Sequence, residues 1–339
     1  MRIIKKYFIL IIIISILIVS LLFSFIYIKS RSQNFKIDTD IYKYTDENND
    51  NNTIDSNSSK NVVPTKLTTG ISISSDLLNS DLTENEKLYI LNNNKYNLED
   101  RISLYLGTDK EDFGFIYYDL NSDKYIKFNE NDTFIAASTY KVSLNLLAYE
   151  KVKQNKDLLN IFINYKDKYY EEGTGILQDL DNIPPMKVQD LLDLSIINSD
   201  NIATNMVGDY LGGHDKVREQ VWDIFNIPLS SLDNITTPES ELKILKHIYD
   251  NKDDSNYAHL IKVLQSTDTH TRIDKYIPKE IVAHKIGSSN DYIHDIGIIT
   301  CENPYILIVY TKGLDDAEEK IGQVSKAVYN YQINFRDPN

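Results

Sequence analysis

The stretch Phe134-Ile-Ala-Ala-Ser-Thr-Tyr-Lys141 is an informative part of the chain, because apolar residues lead into a polar pair that a long apolar segment follows. Apolar residues at positions 142, 144, 146 and 147 predict a buried helix that begins near Ser138. On such a helix Ser138 and Lys141 share one face, about one turn apart. A serine hydroxyl is a poor nucleophile until a base removes its proton, and lysine is such a base while its amine is neutral. The pair predicts an activated serine, although Ser240-Glu-Leu-Lys243 shows that the spacing alone is common.

A second polar motif, Ser199-Asp200-Asn201, lies in a short connection between two apolar segments that predict helices. Taken alone, the motif also fits an ordinary helix cap. As a functional element, Ser199 would relay a proton between a reacting nitrogen and the lysines. Asn201 would orient Lys141 or a substrate amide.

A third motif, Lys285-Ile286-Gly287, follows a strand-like apolar run and is expected to end an edge strand that faces a cleft. Taken alone, it also fits a strand end before a turn. As a second cation, Lys285 would favour the neutral form of the Lys141 amine. Gly287 lets a substrate approach the backbone closely, and the N–H groups of Ser288 and Ser138 are expected to hold an oxyanion.

The secondary-structure pattern after residue 80 predicts an α+β fold. One helix is expected from Leu82 to Leu106, followed by a hairpin of strands over 113–119 and 124–128. The middle is mostly helical, and three strands within 281–311 precede a last helix. The elements predict an antiparallel sheet flanked by N- and C-terminal helices, plus an all-α lobe, with a cleft between them.

The residues before this domain divide into three segments by composition. We expect a cytoplasmic stub over 1–6 and a transmembrane anchor over Tyr7–Ile28, an uncharged run long enough to cross a bilayer. Basic residues before the run favour a cytoplasmic N-terminus and an extracellular catalytic domain over 84–336. A cleaved signal peptide is the alternative, although its apolar run is usually shorter. The polar residues 29–83 predict a disordered linker.

Charge and cysteine content exclude several classes of function. The formal net charge of −14 argues against a nucleic-acid partner, which requires a basic surface. The single cysteine, Cys301, excludes an internal disulfide, and the cysteine and histidine spacing is not of the zinc type. The sequence predicts no cofactor, no metal and a monomeric domain.

Taken together, the three motifs resemble those of the penicillin-recognising serine enzymes, above all the class A β-lactamase-like serine hydrolases. The resemblance covers about residues 84–336 and extends to Gly212-Gly213 and Thr236-Thr237-Pro238. It implies a β-lactamase/transpeptidase-like fold and a β-lactam or a peptidoglycan stem peptide as substrate. It also implies that Ser138 is the acylated nucleophile, Lys141 its activating partner, Ser199 the proton relay and Lys285 the cation for a substrate carboxylate.

Two departures from that family's pattern affect the expected chemistry. The middle of the third motif is usually a hydroxyl residue, and here it is Ile286, so a contact must come from Ser288 or Ser289 instead. Class A enzymes also carry an Ω-loop glutamate that activates the deacylating water. The corresponding interval, 214–235, is short and contains only Glu219 as a glutamate. Glu171 or Glu172 is a substitute at the cleft entrance, or else an exposed loop acid.

Three functions remain open from the sequence. The first is a membrane-anchored serine hydrolase of the class A β-lactamase type. The second is a penicillin-binding peptidase that acts on the D-Ala-D-Ala ends of wall peptides, which slow deacylation would favour. The third is a wall-binding or β-lactam-sensing module without turnover.

Overall fold

A computed structural model of the chain describes residues 64–334, except 69, 79 and 229–232. The predicted cytoplasmic stub, the anchor Tyr7–Ile28 and the first part of the linker lie outside the described residues. Within the described part, no helix combines the length and the apolar character that crossing a bilayer requires.

The described residues form strands and α-helices that mostly occur in runs of one kind along the chain. The strands are β1 (Thr65–Lys66), β2 (Phe113–Asp119), β3 (Lys124–Phe128), β4 (Phe134–Ile135), β5 (Phe162–Ile163), β6 (Met186–Lys187), β7 (Ile235–Thr236), β8 (Val282–Ser289), β9 (Tyr292–Ile299) and β10 (Tyr305–Lys312). The helices are α1 (Ser75–Leu78), α2 (Glu84–Leu91), α3 (Leu98–Leu106), α4 (Tyr140–Val152), α5 (Val188–Ile197), α6 (Asn201–Tyr210), α7 (His214–Phe225), α8 (Pro238–Asp250), α9 (Ser255–Leu264) and α10 (Ala317–Asn334).

The main sheet has the strand order β1-β3-β2-β10-β9-β8. Every pairing from β3 to β8 is antiparallel, as expected, but β1 pairs with β3 in parallel, with Thr65 opposite Lys124. The sheet is therefore mixed, and the prediction of a purely antiparallel sheet is wrong at this one edge. At the opposite edge lies β8, which carries the third motif.

The central strand β10 shows how the sheet separates two cores. Ile306, Ile308 and Tyr310 face the core shared with the helical lobe, whereas Leu307 and Val309 face the core under the N- and C-terminal helices. Successive side chains of a strand point to opposite faces, so a strand buried on both sides reads as a continuous apolar run. The α+β class is confirmed, and the helical lobe shares a core with one face of the sheet.

The sheet and its core include residues that the sequence assigns to the linker. The linker is expected to extend to residue 83, yet β1 is paired within the sheet, and Leu67 and Ile73 are only 4% and 5% exposed. A two-residue strand has no periodicity that a sequence pattern can reveal, and its stability comes from tertiary contacts.

The predicted helix over 82–106 is two helices. Thr83 begins α2 with a reciprocal capping box to Glu86, and Asn97 begins α3 by accepting hydrogen bonds from the backbone N–H groups of Glu99 and Asp100. The intervening turn contains Asn92, Asn93 and Asn94, whose side chains compete for backbone hydrogen bonds and so favour turns over helix.

Candidate active site

A cavity of about 1010 Å³ opens between the edge strand β8 and the helical lobe. Its lining includes six of the seven residues that the sequence singles out, namely Ser138, Lys141, Ser199, Asn201, Lys285 and Ser288. The seventh, Gly287, lies on β8 between two lining residues. The structure thus brings together residues that are far apart in the sequence.

Ser138 lies in a single 3₁₀ turn, Ala137–Thr139, that leads into α4. Ala137 has a φ of +50°, a region that a non-glycine residue rarely occupies and that tends to occur at functional sites. Asn234 fixes this turn, since its Nδ2 donates to Ala137 O at 3.1 Å and its carbonyl accepts from Ala136 N at 2.8 Å. The Ser138 side chain is half-buried and lines the cavity.

Lys141 is only 4% exposed, and residues of the second motif accept hydrogen bonds from its amine. Its Nζ donates to Ser199 O at 2.6 Å, to Ser199 Oγ at 3.1 Å and to Asn201 Oδ1 at 2.8 Å. The predicted role of Asn201 in orienting Lys141 agrees with this geometry. Among the described residues, no hydrogen bond joins Lys141 to the Ser138 hydroxyl, and such contacts often tighten only when substrate binds.

The Lys285 amine reaches the same hydroxyl from the opposite side. Its Nζ donates to Ser199 Oγ at 3.0 Å and to Ile286 O at 3.1 Å. Ser199, with a φ of +54°, therefore places one hydroxyl oxygen between two amines. A hydroxyl has two acceptor lone pairs and one O–H. Because both lone pairs are used here, the Ser199 O–H is left to donate into the cavity.

Burial makes both amines unusually ready to lose a proton. Burial lowers the pKa of Lys141 to about 8, although the negative charges of Glu171 and Asp200 oppose this shift. Burial, with the Lys141 charge as the next cause, lowers the pKa of Lys285 to about 7. Each desolvated ammonium is disfavoured relative to the neutral amine, so either lysine is able to accept a proton near neutral pH.

Asp200 is a structural residue of the second motif. Its carboxylate caps α6 by accepting from Ala203 N at 2.8 Å, and it also accepts from Leu177 N at 2.8 Å. The second bond ties the preceding loop to the motif, where Thr174 Oγ1 donates to Ser199 O at 2.6 Å. The helix-cap interpretation is therefore correct for Asp200, and the functional role of the tripeptide stays a prediction.

Gly287 is required where β8 meets the turn that carries Ser138. A Cβ added at this position would lie 2.9 Å from Ala136 O and 3.1 Å from Thr139 Cγ2. Behind the strand, the buried Arg272 donates to Gly287 O at 2.8 Å and to Ser288 Oγ at 2.6 Å. Ser288, not Ile286, presents a hydroxyl on this wall of the cavity.

A chain of hydrogen bonds along the cavity wall was not foreseen from the sequence. Tyr140 Oη lies 3.0 Å from His214 Nδ1, and His214 Nε2 lies 3.0 Å from Asn205 Oδ1. Asn205 Nδ2 then donates to Glu171 Oε2 at 2.9 Å. Because the amide oxygen only accepts, Nε2 carries the imidazole proton and Tyr140 donates to Nδ1. These residues lie in helices and loops outside the three motifs, so no local sequence pattern predicts that they interact.

The glutamates discussed from the sequence take different positions. All three glutamates are exposed, and of the three only Glu171 is among the described residues that line the cavity. Glu171 is therefore the glutamate that the structure places at the cleft.

Comparisons with known proteins agree with this fold. The sequence model of the β-lactamase enzyme family matches residues 97–332. β-Lactamase VEB-1 of Pseudomonas aeruginosa is 24% identical over 275 residues, which are 70% of this chain and 91% of that protein.

Solved structures similar to this chain include a point mutant of PBP-A in an acyl-enzyme complex with penicillin G. It gives a TM-score of 0.64 and 21% identity over 70% of this chain and 96% of that one. TLA-3 extended-spectrum β-lactamase gives a TM-score of 0.64 and 22% identity over 70% and 98% of the two chains. The match of the family model over most of the described residues identifies the chain as a serine hydrolase that acts on amide bonds, and it belongs to the β-lactamase enzyme family.

Proposed function

We propose that the protein opens β-lactam rings through an acyl-enzyme on Ser138 and then hydrolyses that acyl-enzyme. The observation that carries the proposal is the position of Ser199 Oγ, 3.1 Å from Lys141 Nζ and 3.0 Å from Lys285 Nζ, in the cavity that Ser138 also lines. Nucleophile, base and proton relay are thus within one cleft.

The acylation step follows from these positions. Neutral Lys141 takes the proton of Ser138 as Oγ attacks the carbonyl carbon of the lactam, and a tetrahedral intermediate forms. The N–H groups of Ser138 and Ser288 stabilise its oxyanion. As the C–N bond breaks, Ser199 gives its proton to the departing nitrogen and regains one from the adjacent lysine.

The third motif supplies recognition of a substrate carboxylate. Lys285 provides positive charge, since a bound carboxylate favours its protonated form. The Ser288 hydroxyl, which accepts a hydrogen bond from Arg272, replaces the hydroxyl that is missing at Ile286. The acyl-enzyme of PBP-A with penicillin G, a structure of similar fold, supports a penicillin as the first substrate to test.

Glu171 is the carboxylate that we assign to deacylation. Glu171 lines the cavity, and it ends the hydrogen-bond chain that starts at Tyr140, the residue before Lys141. Asp215 also lines the cavity but is paired with Arg218 at 2.6 Å, which leaves Asp268, held by Asn198 at 3.1 Å, as the second candidate. In this step Glu171 takes a proton from water as the water oxygen attacks the ester carbon. The C–O bond to Ser138 then breaks, and the proton held by Glu171 passes to Ser138 Oγ, which restores both groups.

A D-Ala-D-Ala peptidase of wall peptides is the second candidate. One observation favours it: among the described residues, no glutamate of the segment 214–228 lines the cavity. Deacylation of a β-lactam is therefore expected to be slow. A module that binds wall peptides or senses β-lactams without turnover would show still slower release.

One experiment separates these functions. The full chain is mixed with penicillin G, and ring opening and intact protein mass are followed together. Rapid ring opening without a lasting adduct supports the hydrolase. A long-lived adduct supports the peptidase when a D-Ala-D-Ala peptide is also cleaved, and the sensor when it is not. No adduct and no ring opening would contradict all three.

We further propose that Tyr7–Ile28 anchors the chain in the cell membrane with the catalytic domain outside. The proposal rests on the length of the uncharged run and on the basic residues that precede it. The domain should stay with washed membranes and be digested by protease added to intact cells. Release of the whole domain into the medium would favour the cleaved signal peptide instead.

A further inference from the structure

We propose that His270, Asp274 and His284 form a binding site for one zinc ion, at the connection between α9 and β8. The ion takes no part in the proposed serine chemistry, although its ligand His284 directly precedes Lys285 on β8. The sequence predicts no metal, because two of the ligands come from an irregular connection and the third from a strand. Only the fold brings them together.

The three side chains already have the required proximity. Their ligand atoms all lie within 4.8 Å of one another, and His284 Nε2 lies 3.5 Å from Asp274 Oδ2. His270 Nδ1 is hydrogen-bonded to the same carboxylate oxygen. Ligands about 2.0 Å from a tetrahedral zinc ion lie about 3.3 Å apart, so modest shifts are enough. His270, whose side chain is 39% exposed, is the ligand that is free to shift.

The second observation is the state of Asp274 itself. Its side chain is only 1% exposed, and its Oδ1 has no hydrogen-bond partner among the described residues. A buried carboxylate oxygen without a partner is costly, and its presence in a native structure calls for an explanation such as an ion. A zinc ion bound by this carboxylate and the two imidazoles would offset the negative charge of Asp274 and could engage either of its oxygens.

His284 is oriented in the way that zinc ligands usually are. Its Nδ1 lies 2.9 Å from Asp295 Oδ2, and Asp295 is fixed in turn by the Ile273 N–H at 2.9 Å. A carboxylate on one ring nitrogen fixes the tautomer and leaves the other nitrogen for the metal. Thr267 Oγ1 now lies 2.9 Å from that nitrogen, Nε2, and would move aside or approach the ion.

The donor set determines which ion is expected. Two imidazoles and one carboxylate are ligands that zinc accepts in tetrahedral sites, with a fourth position left for water. The proton shared by His270 and Asp274 would be released to solvent when the ion binds. Nearby Arg272 is occupied by Glu318 and by backbone carbonyls, so its charge is already balanced in part.

The position of the site suggests what zinc would do. Thr267, Asp268 and Thr269 precede His270 and line the catalytic cavity. An ion that joins His270 and Asp274 to strand β8 would fix this rim of the cleft to the sheet. We therefore expect zinc to stabilise the domain and to restrict motion of the rim.

The test uses the full chain, stripped with a chelator and then titrated with zinc chloride. We expect one zinc per chain to remain after gel filtration, and cobalt in its place to give the visible absorption of a tetrahedral site. His270→Ala should weaken zinc binding at least tenfold and remove the zinc-dependent rise in Tm.

His259→Ala is the matched control, since His259 is 40% exposed and pairs with Asp193 at 2.8 Å in the same way, but lies outside the cluster. This variant, and Ser138→Ala, should bind zinc like the unmodified chain. The proposal is overturned if the stripped chain retains no stoichiometric zinc, or if His270→Ala binds it as tightly as His259→Ala does.

Discussion

Lys141 shows at the scale of a single residue how burial produces reactivity. An exposed lysine is almost wholly protonated at neutral pH and cannot accept a proton from serine. Placing the Lys141 amine under the helical lobe lowers its pKa to about 8, so about a tenth of it is neutral at pH 7. Lys285 is buried more deeply still. Desolvated charges of this kind lower stability, and active sites commonly accept that cost.

The first prediction is a pH dependence of acylation. Because only neutral Lys141 accepts the Ser138 proton, the acylation rate should rise about tenfold per pH unit below pH 8 and level off above it. Stopped-flow measurement of penicillin acylation between pH 6 and 9 tests this. Lys141→Ala should abolish acylation, whereas Lys243→Ala, in the same Ser-x-x-Lys spacing, should leave it unchanged. A rate that is flat across this range would remove Lys141 as the base.

The second prediction concerns Glu171. Glu171→Gln should slow deacylation about 10²–10⁴-fold, since a general base is lost, and the acyl-enzyme should accumulate. Acylation should not slow, because removing this negative charge lowers the pKa of Lys141 further. Glu172→Gln, one residue away and exposed, is the control and should deacylate normally. Equal deacylation rates in the two variants would assign water activation to another group.

At the scale of elements, the site depends on the contact between strand β8 and the 3₁₀ turn Ala137–Thr139. The strand delivers Lys285 and Ser288, the turn delivers Ser138, and Gly287 lets the two backbones touch. The spacing between nucleophile and lysines is thus set by backbone packing rather than by flexible side chains.

The third prediction is therefore a substitution at this contact. In Gly287→Ala the new Cβ would lie 2.9 Å from Ala136 O and force the strand away from the turn. We expect acylation to fall about 10²-fold, since small misplacements at a reacting centre are costly, with a loss of only about 1–3 kcal/mol in stability. Gly322→Ala in α10 is the control for a similarly tight position outside the cavity lining, because its added Cβ would lie 3.1–3.2 Å from side-chain atoms of Lys275 and Tyr276. Unchanged acylation in Gly287→Ala would show that this contact does not position the nucleophile.

At the scale of the whole molecule, the catalytic domain includes residues that the sequence composition assigns to the linker. Residues 64–68 and 70–78 contribute a sheet strand and two buried side chains, Leu67 and Ile73. The region between any membrane anchor and the domain is shorter than the sequence predicts.

The fourth prediction tests that boundary in the full chain. Leu67→Ala and Ile73→Ala should each lower the free energy of unfolding by about 2–5 kcal/mol, as expected for buried aliphatic residues. Ile71→Ala, whose side chain is 57% exposed, should change it little. Thermal or urea unfolding measures all three. If the three variants unfold like the unmodified chain, the segment is a linker after all.

What the sequence could predict follows from how local each signal is. Ser138, Lys141, Ser199 and Lys285 lie in short motifs at recognisable helix starts and strand ends, so their order along the chain was enough to place them together. Tyr140, His214 and Asn205 interact only because α4, α6 and α7 pack against one another, and no periodicity records such a contact. The same holds for the zinc ligands and for β1, whose positions are set by tertiary structure.

The central claim is that Ser138 is acylated with help from two buried amines. The most direct measurement is peptide mapping of the full chain after penicillin G is added and the reaction is quenched in acid within the first turnover. We predict an acyl group on the peptide that contains Ser138, none on the peptide that contains Ser240, and none in Ser138→Ala. An acyl group elsewhere, or the same labelling in Ser138→Ala, would contradict the account.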